Sequence, residues 1–125
     1  MASTPTTGLD VRRLSGSLGA EIHGIALDGA TSDDAALVHE LLVEHMVLFF
    51  PEQHLTADQH IAFGRHFGEL EAHPNLDLER ERPEFFELRA VDGAGGVADE
   101  WHSDLTCARH PSKFAILQAK VVPAV

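Results

Sequence analysis

The sequence is short of cysteine, of positive charge and of long apolar runs. One cysteine in 125 residues, Cys107, excludes an internal disulfide and agrees with a reducing compartment. Nine Lys and Arg stand against 20 Asp and Glu, for a formal net charge of −11. With no basic patch to offset that balance, the chain repels nucleic-acid phosphates and anionic membrane surfaces, so neither nucleic acid nor membrane is an expected partner. The longest apolar stretch, 46–50, falls far short of the roughly 20 residues that span a bilayer. The opening MASTPTTG has neither the basic start nor the apolar run of a secretory signal. A cytoplasmic location is the expectation, and it rests on these absences.

What is present has the make-up of one globular domain, with 44% hydrophobic and 23% charged residues. Residues 1–8, rich in Thr, Ser and Pro, read as a flexible tail, and 9–125 as the folded part. Apolar segments at 11–14 and 20–25 flank Ser15-Gly16-Ser17-Leu18-Gly19 and predict a strand, loop, strand unit. Thr31 to Asp34 offers N-cap side chains ahead of Leu37, Val38, Leu41 and Leu42 at helical spacing, which predicts a helix over about 33–45. The run 47–50, closed by Pro51, predicts a buried strand, central in its sheet. Thr56 and Gln59 form a capping-box pattern that opens a second helix carrying Ile61, Phe63 and Phe67, with Gly68 placed to end it. Charge and two prolines make 69–83 an exposed connection, followed by a strand over 85–89. Glycines make 91–98 a loop, and 114–120 reads as a last strand, with Ala and Gln leaving a helical reading open.

The residues that bear chemistry lie in Trp101-His102-Ser103-Asp104. On an extended backbone residues two apart share a face, so His102 and Asp104 can point into one cavity while Ser103 faces away. An imidazole and a carboxylate are two thirds of the facial triad that holds iron(II) in many oxygenases. By itself such a tripeptide reads first as a hydrogen-bonded surface pair. A closed structural zinc site is disfavoured by the single cysteine. His39, His45, His60 and His66 fall on or beside the predicted helices and read as packed or solvated. His110 follows the motif too closely to be a third ligand. Cys107 reads as a small buried side chain and Trp101 as a core anchor.

Five segments, in order, carry a family resemblance: LSGSLGAEIHG at 14–24, EHMVLFF at 44–50, FGRHFGEL at 63–70, WHSDLT at 101–106 and AKVVP at 119–123. Together they resemble the opening half of the taurine dioxygenase (TauD/TfdA) family. The resemblance implies a mainly β fold with flanking helices, part of a clavaminate synthase-like double-stranded β-helix, or jelly roll. It implies an oxidoreductase that uses iron(II), 2-oxoglutarate and O2, and couples decarboxylation of 2-oxoglutarate to hydroxylation of a small anionic substrate. A sulfonate such as taurine, an alkyl sulfate and a carboxylate are the candidates. His102 and Asp104 then stand as iron ligands and catalytic residues, His73 as a contact to the substrate's anionic group, and Leu76 and Ala98 as further substrate-binding positions. Where the taurine pattern has an aromatic, an amide and another aromatic residue, this sequence has Leu76, Ala98 and Cys107, which turns the expectation away from taurine itself.

The family pattern continues past Pro123 to a threonine that helps bind 2-oxoglutarate, a third ligand histidine and an arginine, none of which is in this sequence. The expectation is therefore a fragment with no cofactor-binding residues beyond the iron ligands, inactive alone, the full-length protein being open to homo-oligomer formation. The alternative expectation is a noncatalytic truncated remnant that acts as a binding or interaction module.

Overall fold

The structure is a computed structural model that describes residues 8–72, 81–88 and 100–122. The chain divides into two compact units, Met1–Leu70 and Glu71–Val125. Among the described residues every helix and strand lies in the first: β1 (Asp10–Arg13), β2 (Ala20–His23), α1 (Ser32–His45), β3 (Leu48–Phe49) and α2 (Ala57–Arg65). Of the predicted tail, 1–7 lie outside the described residues.

The predicted strand, loop, strand unit is present, with β1 antiparallel to β2 from Asp10 opposite His23 to Arg13 opposite Ala20. Period-two alternation buries Ala20 and Ile22 on one face of β2 and leaves Glu21 and His23 half-buried on the other, where Nε2 of His23 lies 2.5 Å from Oε1 of Glu21. Next comes β3, parallel to β2, with Ala20 opposite Leu48 and Glu21 opposite Phe49. Parallel neighbours cannot be joined by a tight turn, and α1 supplies the crossover.

The order β1-β2-β3 corrects the reading of 47–50: β3 is an edge of the described sheet, and Phe49 is half exposed. An apolar run reports hydropathy, whereas rank in a sheet is decided by which strand stands beside it. The second helix also ends earlier than Gly68. His66, Phe67 and Gly68 each donate to the carbonyl three residues back, so the chain tightens out of the α-helix after Arg65. No strand runs over 85–88 or 114–120 among the described residues. In the latter segment Phe114, Ile116 and Gln118 are half-buried while Ala115 and Leu117 are exposed. That alternation belongs to an extended backbone.

Local chemistry fixes both helix starts. The Thr31 hydroxyl accepts from the Asp34 N–H, and the Asp34 carboxylate accepts from the Thr31 N–H at 2.8 Å. Thr56 and Gln59 repeat this capping box at α2. Ala35 and Val38 of α1, Ile61 and Phe63 of α2, and Leu27 and Leu55 from the connections join β2 in the core. His45, at the end of α1, is 5% exposed, the packed member of the helical histidines.

Two further devices hold the connections. Gln53 accepts from the Leu27 N–H and donates to the Ile25 carbonyl, each at 3.0 Å, so one side chain makes the pair of bonds a neighbouring strand would make. Gly24 sits at φ +85°, and a Cβ there would stand 2.1 Å from the Gly8 carbonyl oxygen. Gly24→Ala must therefore push back a backbone atom and hold a left-handed conformation that alone costs about 1–3 kcal/mol. Urea unfolding should show at least that loss, and an unchanged midpoint would refute the close approach.

Hydrogen bonds from the Thr31 N–H, and then from its hydroxyl, hold the Asp34 carboxyl below its ordinary value of 3.8, with a smaller contribution from His66. A carboxyl lowered on folding contributes stability above its unfolded value, and that stability is lost as pH falls through the folded value. The difference in melting temperature between the wild type and Asp34→Asn should accordingly shrink on acidification through 3.8 and below. A difference independent of pH would refute the linkage.

Candidate metal centre

In the second unit 101–103 form neither helix nor strand, and Asp104 opens a turn over 104–107. Leu105 has φ 52°, an uncommon conformation for a branched residue, and the Ala108 N–H returns to the Leu105 carbonyl at 2.9 Å. His102 and Asp104 converge as expected, yet the strand alternation that predicted it is absent from the described residues. A bend running into a turn brings them together.

Nε2 of His102 lies 3.3 Å from Oδ1 of Asp104. The other ring nitrogen, Nδ1, lies 2.9 Å from the main-chain carbonyl oxygen of Glu100. The donor set fits a metal. Two ligand atoms each about 2.1 Å from an ion, at right angles as in a facial arrangement, stand about 3 Å apart. Both side chains are accessible, His102 at 55% and Asp104 at 74%, so a ligand can reach them from solvent. Among the described residues no group of three His, Cys, Asp or Glu side chains assembles to hold a metal. The pair supplies two donors and the described residues add no third.

Trp101 and Cys107 correct the sequence reading, since both are exposed. Trp101 stands on irregular backbone and Cys107 in the turn that follows. His110 is exposed as well. His73, Leu76 and Ala98, the predicted substrate contacts, lie outside the described residues.

Sequence reasoning missed two contacts of the second unit. The Glu100 carbonyl left no signal, because every residue carries one. The Ser112 hydroxyl donates to the Glu71 carboxylate, tying the segment before His73 to the segment after the motif. A serine and a glutamate 41 positions apart give no pattern to read.

A family model described as the taurine catabolism dioxygenase TauD, TfdA family matches residues 10–125. An alkylsulfatase of Acinetobacter baylyi is 36% identical over 121 residues, covering 95% of this chain and 38% of that protein. An (S)-phenoxypropionate/alpha-ketoglutarate-dioxygenase of Sphingobium herbicidovorans is 34% identical over 126 residues, 93% of this chain and 42% of that one. An alpha-ketoglutarate-dependent sulfate ester dioxygenase of Pseudomonas putida is 37% identical over 121 residues, 93% of this chain and 38% of that one. Among solved structures, a taurine dioxygenase from Burkholderia xenovorans is 40% identical, covers 50% of this chain and 23% of that one, and superposes with a TM-score of 0.47. The chain spans about two fifths of the length of these curated relatives.

Proposed function

Since the chain belongs to the TauD, TfdA family of taurine catabolism dioxygenases, we propose that His102 and Asp104 are two ligands of the iron(II) in a 2-oxoglutarate-dependent dioxygenase. The observation that carries this reading is the 3.3 Å approach of His102 Nε2 and Asp104 Oδ1 inside the matched segment. The activity, the jelly-roll core and the third ligand are proposed for a protein of the relatives' length, with residues 9–125 as the amino-terminal part of its catalytic domain.

In that protein His102 and Asp104 would hold the iron, the imidazole as a neutral donor and the Asp104 carboxylate as the negative charge that retains a divalent ion. The bound iron supplies the oxidative chemistry, and the protein's task is to aim the substrate at it. His73 is proposed to donate a hydrogen bond to the substrate's anionic group, with Leu76 and Ala98 lining the pocket around it.

An alkyl sulfate ester is the substrate class we favour. Two of the relatives described above are named for sulfate esters, and Leu76 and Ala98 make a less polar pocket than the taurine pattern. In assays of substrate-dependent 2-oxoglutarate consumption by the whole protein, a medium-chain alkyl sulfate should outrun taurine, and His73→Ala should raise KM for it. Faster turnover with taurine would overturn the choice of substrate.

Anaerobic titration with iron(II) tests the centre itself. In the presence of 2-oxoglutarate a metal-to-ligand absorption band should develop, and His102→Ala should weaken iron binding by more than the roughly 10–100-fold typical of losing an outer partner. A band of equal strength in the variant would remove His102 from the centre.

A further inference from the structure

We infer that Arg109 is the cation that draws the anionic group of the substrate to the His102–Asp104 pair. The inference deepens the dioxygenase reading and rests on it for the identity of the anion. The formal charge of −11 is unevenly placed: all 20 acidic residues stand at or before Asp104, and the chain after it carries Arg109, Lys113 and Lys120 with no acid. Three cations are too few to seat a nucleic-acid backbone, yet they suffice for one small anion in a chain whose remainder repels it. Lys113 and Lys120 are engaged with neighbours, as is Arg82 earlier in the second unit. Arg109 is exposed, and among the described residues its guanidinium has no hydrogen bond or ion pair. An arginine without a carboxylate partner in so acidic a chain keeps its charge for a ligand.

The turn after the motif brings that charge to the pair. The Ala108 N–H bonds to the Leu105 carbonyl at 2.9 Å, and a turn closed in this way holds its end residues within about 7 Å of each other. The left-handed backbone of Leu105, φ 52°, is part of the same reversal. Asp104 precedes the closed turn and Arg109 follows it, so both stand at its open end. The Asp104 carboxylate is paired with His102, at 3.3 Å, and among the described residues not with Arg109. The carboxylate is thereby kept for a cation and the guanidinium for an anion. A sulfate ester presents three oxygens that share one negative charge, and the planar fork of arginine matches two of them at once, which an ammonium cannot do.

The test is calorimetric titration of the whole protein, loaded anaerobically with iron(II) and 2-oxoglutarate so that nothing turns over, with hexyl sulfate and with its neutral counterpart hexan-1-ol. Each is measured at about 0.01 M and about 1 M salt, between which the screening length falls from about 30 to about 3 Å. At low salt Arg109→Gln should weaken hexyl sulfate by up to about fivefold, the scale of one exposed ion pair, and Arg109→Lys should restore part of that loss. At high salt the difference should vanish, and hexan-1-ol and 2-oxoglutarate should bind the variant within about twofold of the wild type. Equal affinity for hexyl sulfate at low salt overturns the inference, as does a loss that survives high salt or extends to hexan-1-ol, which would mark a structural role. Hexyl sulfate held through Arg109 yet left unoxidised on admitting O2 upholds the inference and refutes the sulfate ester as substrate. Oxidation by an Arg109→Gln variant of unchanged affinity does the reverse.

Discussion

The carbonyl oxygen of His45 joins the elements of the first unit. It accepts from the Gly19 N–H and from the Val47 N–H, each at 2.8 Å, while Ala20 N–H reaches the Val47 carbonyl at 3.0 Å. One acceptor therefore closes α1, starts β2 and turns the chain into β3. The turn bends through Met46 at φ 65°, ψ −31°, a conformation an unbranched L side chain adopts only under constraint. Its own N–H stays bonded to Leu42 at 2.7 Å, so the last helical bond and the first bond of the reversal are adjacent. The parallel register of β2 and β3 follows from that geometry, and α1 is long enough to make the crossover it demands.

Much of this was legible where the determinants are local. Thr31 with Asp34, and Thr56 with Gln59, each specify a helix start within four residues, and the glycine-containing loop at 15–19 separates two short strands as its composition suggests. What failed depends on partners distant in sequence. Phe49 looks buried by composition and is half exposed, since its register partner is Glu21, on the face of β2 opposite the buried Ala20 and Ile22. Gln53 reaches Leu27 and Ile25 across 26 and 28 positions, and nothing in a polar residue after a turn announces that. The candidate site was legible as a pair, His102 and Asp104, through family resemblance more than through geometry. The expected alternation of a strand gave the right neighbours for a reason the described backbone does not share.

The described parts of the two units are held in different ways. In the first, short strands and capped helices satisfy backbone groups through regular ladders. The second carries the donors on irregular chain, held by contacts such as Ser112 with Glu71 and Glu100 with His102. The exposure of His102 and Asp104 makes them reachable, whereas oxidative chemistry on a substrate calls for a shaped cavity that excludes water. Enclosure is thus a requirement separate from ligation, and the protein proposed above must meet both.

Trp101 gives the motif an optical handle. It is the chain's one tryptophan, the chain has no tyrosine, and its indole is fully exposed beside His102. Within these 125 residues, emission excited selectively through indole therefore originates at a single position, one residue from the proposed ligand. It starts from the solvent-relaxed, long-wavelength limit, so any event that covers the motif shifts the emission toward shorter wavelengths. A paramagnetic ion bound at His102 would instead darken it, and the direction of the change separates enclosure from occupancy without adding a label.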